Sequence, residues 1–287
     1  MKKTFFTKLY IISLCLYFGS GLVYSQNAEE EVDTRPVRSP FETGLLIDNQ
    51  TIVSPVAKTL LLEIHHRFSS VSNGFTDLYG IYGASNIRLG LKYGLTDRLM
   101  IGFGTEKYHK LQEFQLKYSI LHQTRSGNIP VAVSFYGNMV IDARSKDKFG
   151  VEENFKSIHR LSYFSQIIIA RKFSPVFTFQ IAPSFIYFNA VEPDMQNINF
   201  GLSAGGRAKI AGSLSILFEY DQPLTINEVY EPKANLGLGL EIGTSTHAFQ
   251  IFFNSYDQII NQRNYVYNTN DFTEGEMMLG FNITVRF

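Results

Sequence analysis

The chain has 287 residues, with 26 lysines and arginines against 26 aspartates and glutamates, and 45% of it is hydrophobic. That balance gives no basic footprint for nucleic acid, and a lone cysteine excludes a disulfide framework. The composition is unusual in its aromatics, with 25 Phe and 16 Tyr but no Trp.

Residues 1–25 place Lys2, Lys3 and Lys8 ahead of an apolar run from Leu9 to Phe18, and close on Val23-Tyr24-Ser25. Charge, length and the small residue at the cut predict a cleaved secretory signal peptide. The run is too short for a spanning helix and is broken by Gly19 and Gly21. Cys15 follows Leu14 inside this segment, so a lipid anchor is not expected. The exported part loses three lysines and no acid, and so tips slightly acidic. Residues 26–58 read as a periplasmic lead-in or plug segment. Its first half is acidic and then broken by prolines, and "FETGLLIDNQTIVSPVAK" is compatible with a short helix and turn.

From Thr59 onward a period of two takes over. It predicts strands near 59–69, 85–95, 99–107, 111–124, 131–144, 160–173, 176–189, 200–210, 214–223, 234–244, 248–257 and 275–287. Most approach the roughly 9–11 residues a tilted strand needs to cross a bilayer, whereas soluble strands run to about 5–6. In the second, Ile87, Leu89, Leu91, Tyr93 and Leu95 alternate with Asn86, Arg88, Gly90, Lys92 and Gly94. The sixth, with Ile167-Ile168-Ile169, shows no clear phase.

The connections alternate short and long, apart from one brief outer link near Tyr108 to Lys110. Short turns at one end, long loops at the other and an even strand count mark an outer-membrane barrel. The predicted fold class is therefore all-β, a transmembrane antiparallel up-and-down β-barrel of about twelve strands over residues 59–287. It is expected in the cell outer membrane, in contact with outer-membrane lipid. The last strand puts Leu279, Phe281, Ile283, Val285 and Phe287 on one face. Closure requires it to pair with the first strand, because lipid cannot satisfy a free sheet edge. Phe281, Ile283, Val285 and the aromatic Phe287 also resemble the sorting signal read by the barrel assembly machinery, an expected partner.

His66-Arg67-Phe68, the Asn73-Gly74 turn, the Asn86-to-Leu91 strand, "YGLTDRL" at 93–99 and "LKYSILHQ" at 116–123 carry a more specific likeness. On these residues the chain resembles an uncharacterised family of Gram-negative outer-membrane β-barrel proteins, a domain of unknown function, from about Phe41 to its end. The resemblance implies architecture and transfers no active site.

No enzyme or cofactor is expected. His65 and His66 are strand neighbours pointing to opposite faces, so they cannot readily share one metal ion, and there is no glycine-rich phosphate loop. Ser72-Asn73-Gly74 invites comparison with the His-x-Ser-Asn-Gly context of outer-membrane phospholipase A. Here Ser70 stands where the histidine should be, and a serine without its base is not activated. Glu106, Asp142 and Asp221 lie near loops, where acids are expected for solubility. The inward face is expected to carry Arg67, Arg88, Lys92, Lys117, Arg207, Lys209, Glu219 and Glu241, more basic than acidic, so that anions are its natural contents. Inward glycines such as Gly90, Gly104, Gly201, Gly205 and Gly237 leave interior volume. The expected function is a narrow or plugged channel for small solutes. The alternatives are a structural or surface-interaction barrel without transport and, below that, an outer-membrane hydrolase.

Overall fold

A computed structural model describes residues 33–150, 152–227, 229 and 231–287. The expected signal peptide, residues 1–25, and the first part of the lead-in lie outside the described residues. Twelve strands form one closed antiparallel barrel in which each strand pairs with its neighbours in sequence. They are β1 (Leu60–Ser70), β2 (Asn86–Gly94), β3 (Leu99–Glu106), β4 (Leu111–Leu121), β5 (Ala132–Asp142) and β6 (Leu161–Lys172), followed by β7 (Phe177–Phe188), β8 (Ile198–Ala211), β9 (Leu214–Pro223), β10 (Asn235–Gly243), β11 (His247–Asn254) and β12 (Met278–Arg286). The seam joins β1 to β12 with Leu61 opposite Arg286, Ile64 opposite Ile283 and Arg67 opposite Gly280. Phe287, just past β12, still donates its backbone N–H to the Leu60 carbonyl at 2.9 Å.

Alternation in the sequence becomes two faces in space. Leu89, Leu91, Phe103, Leu116, Ile181, Leu202, Leu238, Leu240 and Ile251 stand exposed around the outside. An apolar surface this continuous belongs against lipid. Glu63, Arg88, Lys92, Glu113, Lys117, Gln166, Gln180, Glu219 and Asn282 are buried on the inside. β6 has a phase after all: Ser162, Phe164, Gln166, Ile168 and Ala170 are buried, while Ile167 is exposed. Its isoleucine run hides the period because this stretch of wall is apolar on both faces. Ile168 packs inward with Phe164, Ala182, Ile186, Tyr265 and Val266.

Two segments besides the strands lie inside. Residues 41–53 are almost wholly buried. They form no helix: Leu45 and Gln50 make an antiparallel bridge around a tight turn in which the Leu46 N–H meets the Asn49 carbonyl at 2.8 Å. The second segment belongs to the β11–β12 connection. It carries a short helix, α1 (Asn261–Tyr267), with Asn261, Gln262, Asn264, Tyr265 and Val266 buried. Residues 34–40 lie along the β4–β5 turn, where Pro36 bridges Thr124 and the Val37 N–H meets the Gln123 carbonyl at 2.9 Å.

Candidate functional site

The interior is built from side chains on alternate strand positions, and they meet in two groups. The first lies where β1 to β5 run side by side. The Glu63 carboxylate faces Lys92 at 2.8 Å, with His65 at 3.5 Å and Arg88 at 3.6 Å. Arg88 reaches on to Glu113 at 2.7 Å, and that carboxylate also accepts from Asn138 at 2.6 Å and Tyr136 at 3.1 Å. Antiparallel register makes this possible, because Glu63 lies opposite Gly90, and Gly90 opposite Gly104. A Cβ on Gly104 would come within 2.4 Å of the Arg88 guanidinium, so the absent side chains are the room that Arg88 occupies. Charges this deep persist because each cation has a carboxylate or a set of acceptors beside it.

The second group clasps the inner turn at residues 44–53. Glu219 on β9 accepts three backbone N–H groups: Asp48 at 3.0 Å, and Ile47 and Asn49 at 3.2 Å each. Lys117 on β4 donates to three backbone carbonyls: Thr51 and Val53 at 3.0 Å, and Gly44 at 3.1 Å. Some of the other backbone groups pair within the segment, as the Thr51 N–H does with the Gly44 carbonyl at 3.0 Å, and others are met from around the wall. Asn282 donates to the Ile47 carbonyl at 2.9 Å, Gln180 to Gln50 at 2.9 Å and Gln250 to Leu45 at 3.2 Å. Asp48 takes Arg67 at 2.8 Å and Asn254 at 2.7 Å, while the Asn49 amide donates to Asp221 at 2.6 Å. A buried irregular segment must find a partner for each of its polar backbone groups, and here strands on opposite sides of the barrel supply them. Leu46 and Ile47 pack with Phe41, Ala170, Leu217 and Phe252. A Cβ on Gly205 would come within 2.5 Å of Leu46, so the inner turn fills that recess.

The α1 segment meets this turn inside the barrel. Tyr265 hydrogen-bonds Asp221 at 3.0 Å and lies so close to β8 that a Cβ on Gly201 would come within 2.4 Å of its ring. Asn261 donates to the Asp48 carbonyl at 3.3 Å, and Gln262 to Asn138 at 2.5 Å. The glycine-lined volume expected from the sequence is therefore occupied by protein at Gly201, Gly205 and Gly104.

Of the expected inward residues, Arg67, Arg88, Lys92, Lys117, Arg207, Glu219 and Glu241 are buried inside. Arg207 pairs with Glu241 at 2.9 Å and with Glu42 at 3.4 Å. Lys209 is exposed at the end of β8, where the pairing to β9 shifts register before the turn. Phe281 faces outward and stacks on His66 with ring centroids 4.9 Å apart, and Phe287 is 71% exposed. Ile283 and Val285 share that outer face of β12, half-buried.

Two interior acids, Asp48 and Glu113, escaped the sequence reading. Nor do the acids near loops serve solubility. Glu106, Asp142 and Asp221 are buried, and Glu106 accepts from Asn86 at 2.5 Å. Together these carboxylates overturn the expected basic excess of the interior. Strand phase carried on to the strand ends would have found Glu106, Glu113, Asp142 and Asp221, whereas Asp48 lies on the inner turn, outside any strand. Among the described residues, no three His, Cys, Asp or Glu side chains gather as metal ligands.

Residues 41–287 match a family described as a membrane bound beta barrel domain (DUF5777). The chain belongs to that family. The match begins at the buried inner segment, so the family unit comprises the barrel together with its contents. Among solved structures, the NanC porin aligns over 79% of this chain and 98% of its own, at 10% identity and a TM-score of 0.50. The KdgM porin aligns over 79% and 98%, at 6% identity and a TM-score of 0.48. An outer membrane channel from Pseudomonas putida F1 aligns over 82% and 97%, at 11% identity and a TM-score of 0.49. At this identity the likeness to the NanC porin is one of fold: a closed membrane β-barrel of porin type. No curated protein sequence matches the chain.

Proposed function

We propose that this barrel is an outer-membrane channel for small solutes, without catalytic activity, whose lumen is held shut by residues 41–53 acting as a plug. The reading has the leader removed on export and Phe287 read by the barrel assembly machinery. It has the chain ends and short turns in the periplasm and the long loops outside the cell. The observation that carries it is the way the inner turn is held. Glu219 and Lys117 grip its backbone through six hydrogen bonds, from walls on opposite sides of the barrel. Most contacts of the segment are hydrogen bonds and ion pairs to polar walls, which water can replace when it leaves; the cost that remains is exposure of Phe41, Leu46 and Ile47. A barrel serving only as a scaffold has no need of a polar seat.

The test is single-channel recording in a planar bilayer. The full chain should stay largely closed, while a variant with residues 41–53 replaced by a Gly-Ser linker of equal length should conduct. Anion preference should be weak, because removing the turn bares Glu219 and Asp221 as well as Lys117 and Arg67. Silence from both proteins would favour a structural barrel. Equal conductance from both would show that the inner turn closes nothing.

A further inference from the structure

At the loop end lies a cleft of about 180 Å³ that the plug does not touch. The β5–β6 loop forms one side, the β7–β8 loop another, and α1 the floor, with Leu111, Val191 and Ile260 as apolar lining. Two acids line the cleft, and both are occupied. Asp142 is held by the Arg144 guanidinium with contacts of 2.6 and 3.0 Å, and Glu192 accepts from the Tyr267 hydroxyl at 2.8 Å.

Among the described residues, two other guanidinium groups in the lining make no direct ion pair, although Arg263 lies within electrostatic reach of Glu106 and Asp257. Arg160 lies over the Phe149 ring at 5.1 Å and the Phe155 ring at 5.0 Å, and one of its terminal nitrogens donates to the backbone carbonyls of Asp142 and Arg144. Arg263 lies over the Tyr267 ring at 4.0 Å, one of its terminal nitrogens lies 3.5 Å from the His109 Nε2, and its Nε is buried without a hydrogen-bond partner. Stacking covers the faces of a guanidinium and leaves its N–H edges to bind, the arrangement suited to a planar oxyanion. The cleft is smaller than the roughly 300–1,000 Å³ typical of drug-sized ligands, so its occupant is compact.

We infer that this cleft is a binding site for a small organic anion, a carboxylate carried on a single apolar ring. Arg160 and Arg263 engage the carboxylate, and the ring rests against Phe149, Tyr267 and the apolar floor. The site stands on the loop-end geometry alone and holds whether or not the barrel conducts.

Isothermal titration of the full-length barrel in detergent tests it, with benzoate as probe. Acetate lacks the ring and benzamidinium reverses the charge, so both should bind more weakly. Arg263→Gln should weaken benzoate binding about tenfold or more, the scale of a lost hydrogen bond to a charged group. Arg263→Lys should recover part of that loss. Lys209→Gln alters an exposed cation at the end of β8, outside the cleft, and should change affinity little. Heat-modifiability on a gel confirms that each variant is a folded barrel. The inference fails if folded wild-type protein takes up no benzoate at millimolar concentration. It fails equally if acetate or benzamidinium binds as well as benzoate, or if folded Arg263→Gln keeps full affinity.

Discussion

The two segments inside the barrel are held in opposite ways. The turn at residues 44–53 has no regular structure, and its backbone is satisfied by side chains of the wall, above all Glu219, Lys117 and Asn282. The α1 segment satisfies part of its backbone through its own helix and packs side chains outward: Tyr265 and Val266 against Phe164, Ile168 and Ile186. The first depends on polar residues that belong to the strands. The second depends on the shapes of its own residues. A segment of the first kind can exchange its partners for water and move as a unit. Leaving exposes apolar surface in both, Phe41, Leu46 and Ile47 with the first and Tyr265 and Val266 with the second, so the contrast lies in the wall contacts to the backbone of the first, which water can replace.

The largest expected effect comes from removing a polar holder. Glu219→Ala strands three buried N–H groups and should loosen the inner turn by about 3–5 kcal/mol, at roughly 1.5–3 kcal/mol for each hydrogen bond to a charged group, less what water restores. The one cysteine of the chain is Cys15, so Asn49→Cys in a Cys15→Ser background gives a clean reporter. Maleimide should label it rapidly in the Glu219→Ala background and slowly with Glu219 intact. Equal labelling would show that wall polarity does not hold the turn.

A steric change on the other side should be smaller. Gly201→Ala places a methyl group 2.4 Å from the Tyr265 ring and should cost about 1–3 kcal/mol. Hydrogen exchange should rise across 261–267 while Asn49→Cys stays protected. Faster labelling at both places would mean that the two segments form one cooperative unit and would erase the contrast.

The smallest effect is one of pH. Burial, reinforced by the positive charges of Arg263 and Arg144, holds the His109 imidazole at about 4 instead of its ordinary 6.5. The stability this neutral histidine confers is present above pH 6.5 and is lost as pH falls toward 4. Burial pushes the nearby Asp257 carboxyl up from its ordinary 3.8, so its contribution to the pH dependence has the opposite sign. Comparison with His109→Gln isolates the histidine's part. Exchange in the β3–β4 link should rise on acidification in the wild type and less in the variant. The turn at 44–53 should not respond through this residue.

Most of the barrel was legible in the sequence because one periodicity decides both faces. Leu89, Leu91, Leu238 and Leu240 face outward as their alternation requires, and Arg88, Lys92 and Lys117 face inward. Strand ends agreed to within a few residues, since polar links bracket them. β6 was opaque because its inner face is as apolar as its outer one, so two did not stand out as a period. The interior chemistry was only half legible. Arg67 and Glu219 could be assigned to a face, but nothing in their spacing reveals that they hold Asp48 and the backbone around it, over 19 and 171 residues of chain. Glycine misled for a physical reason: a missing side chain signals room, and sequence alone does not tell whether water, a ring such as Tyr265 or an arginine fills it.

The seam between β1 and β12 has a further consequence, in time rather than in space. The inner turn precedes every strand in the chain, yet its holders Glu219, Gln250 and Asn282 lie on β9, β11 and β12. The Asn282 contact to Ile47 spans 235 residues. Hairpin neighbours can pair as soon as both strands exist, but a contact of that span must await the final strand. Until then the Ile47 carbonyl lacks its Asn282 partner, and the full set of contacts to 44–53 is complete only when the cylinder closes. The earliest strands therefore enclose a segment whose last holder, Asn282, is also the last to be made.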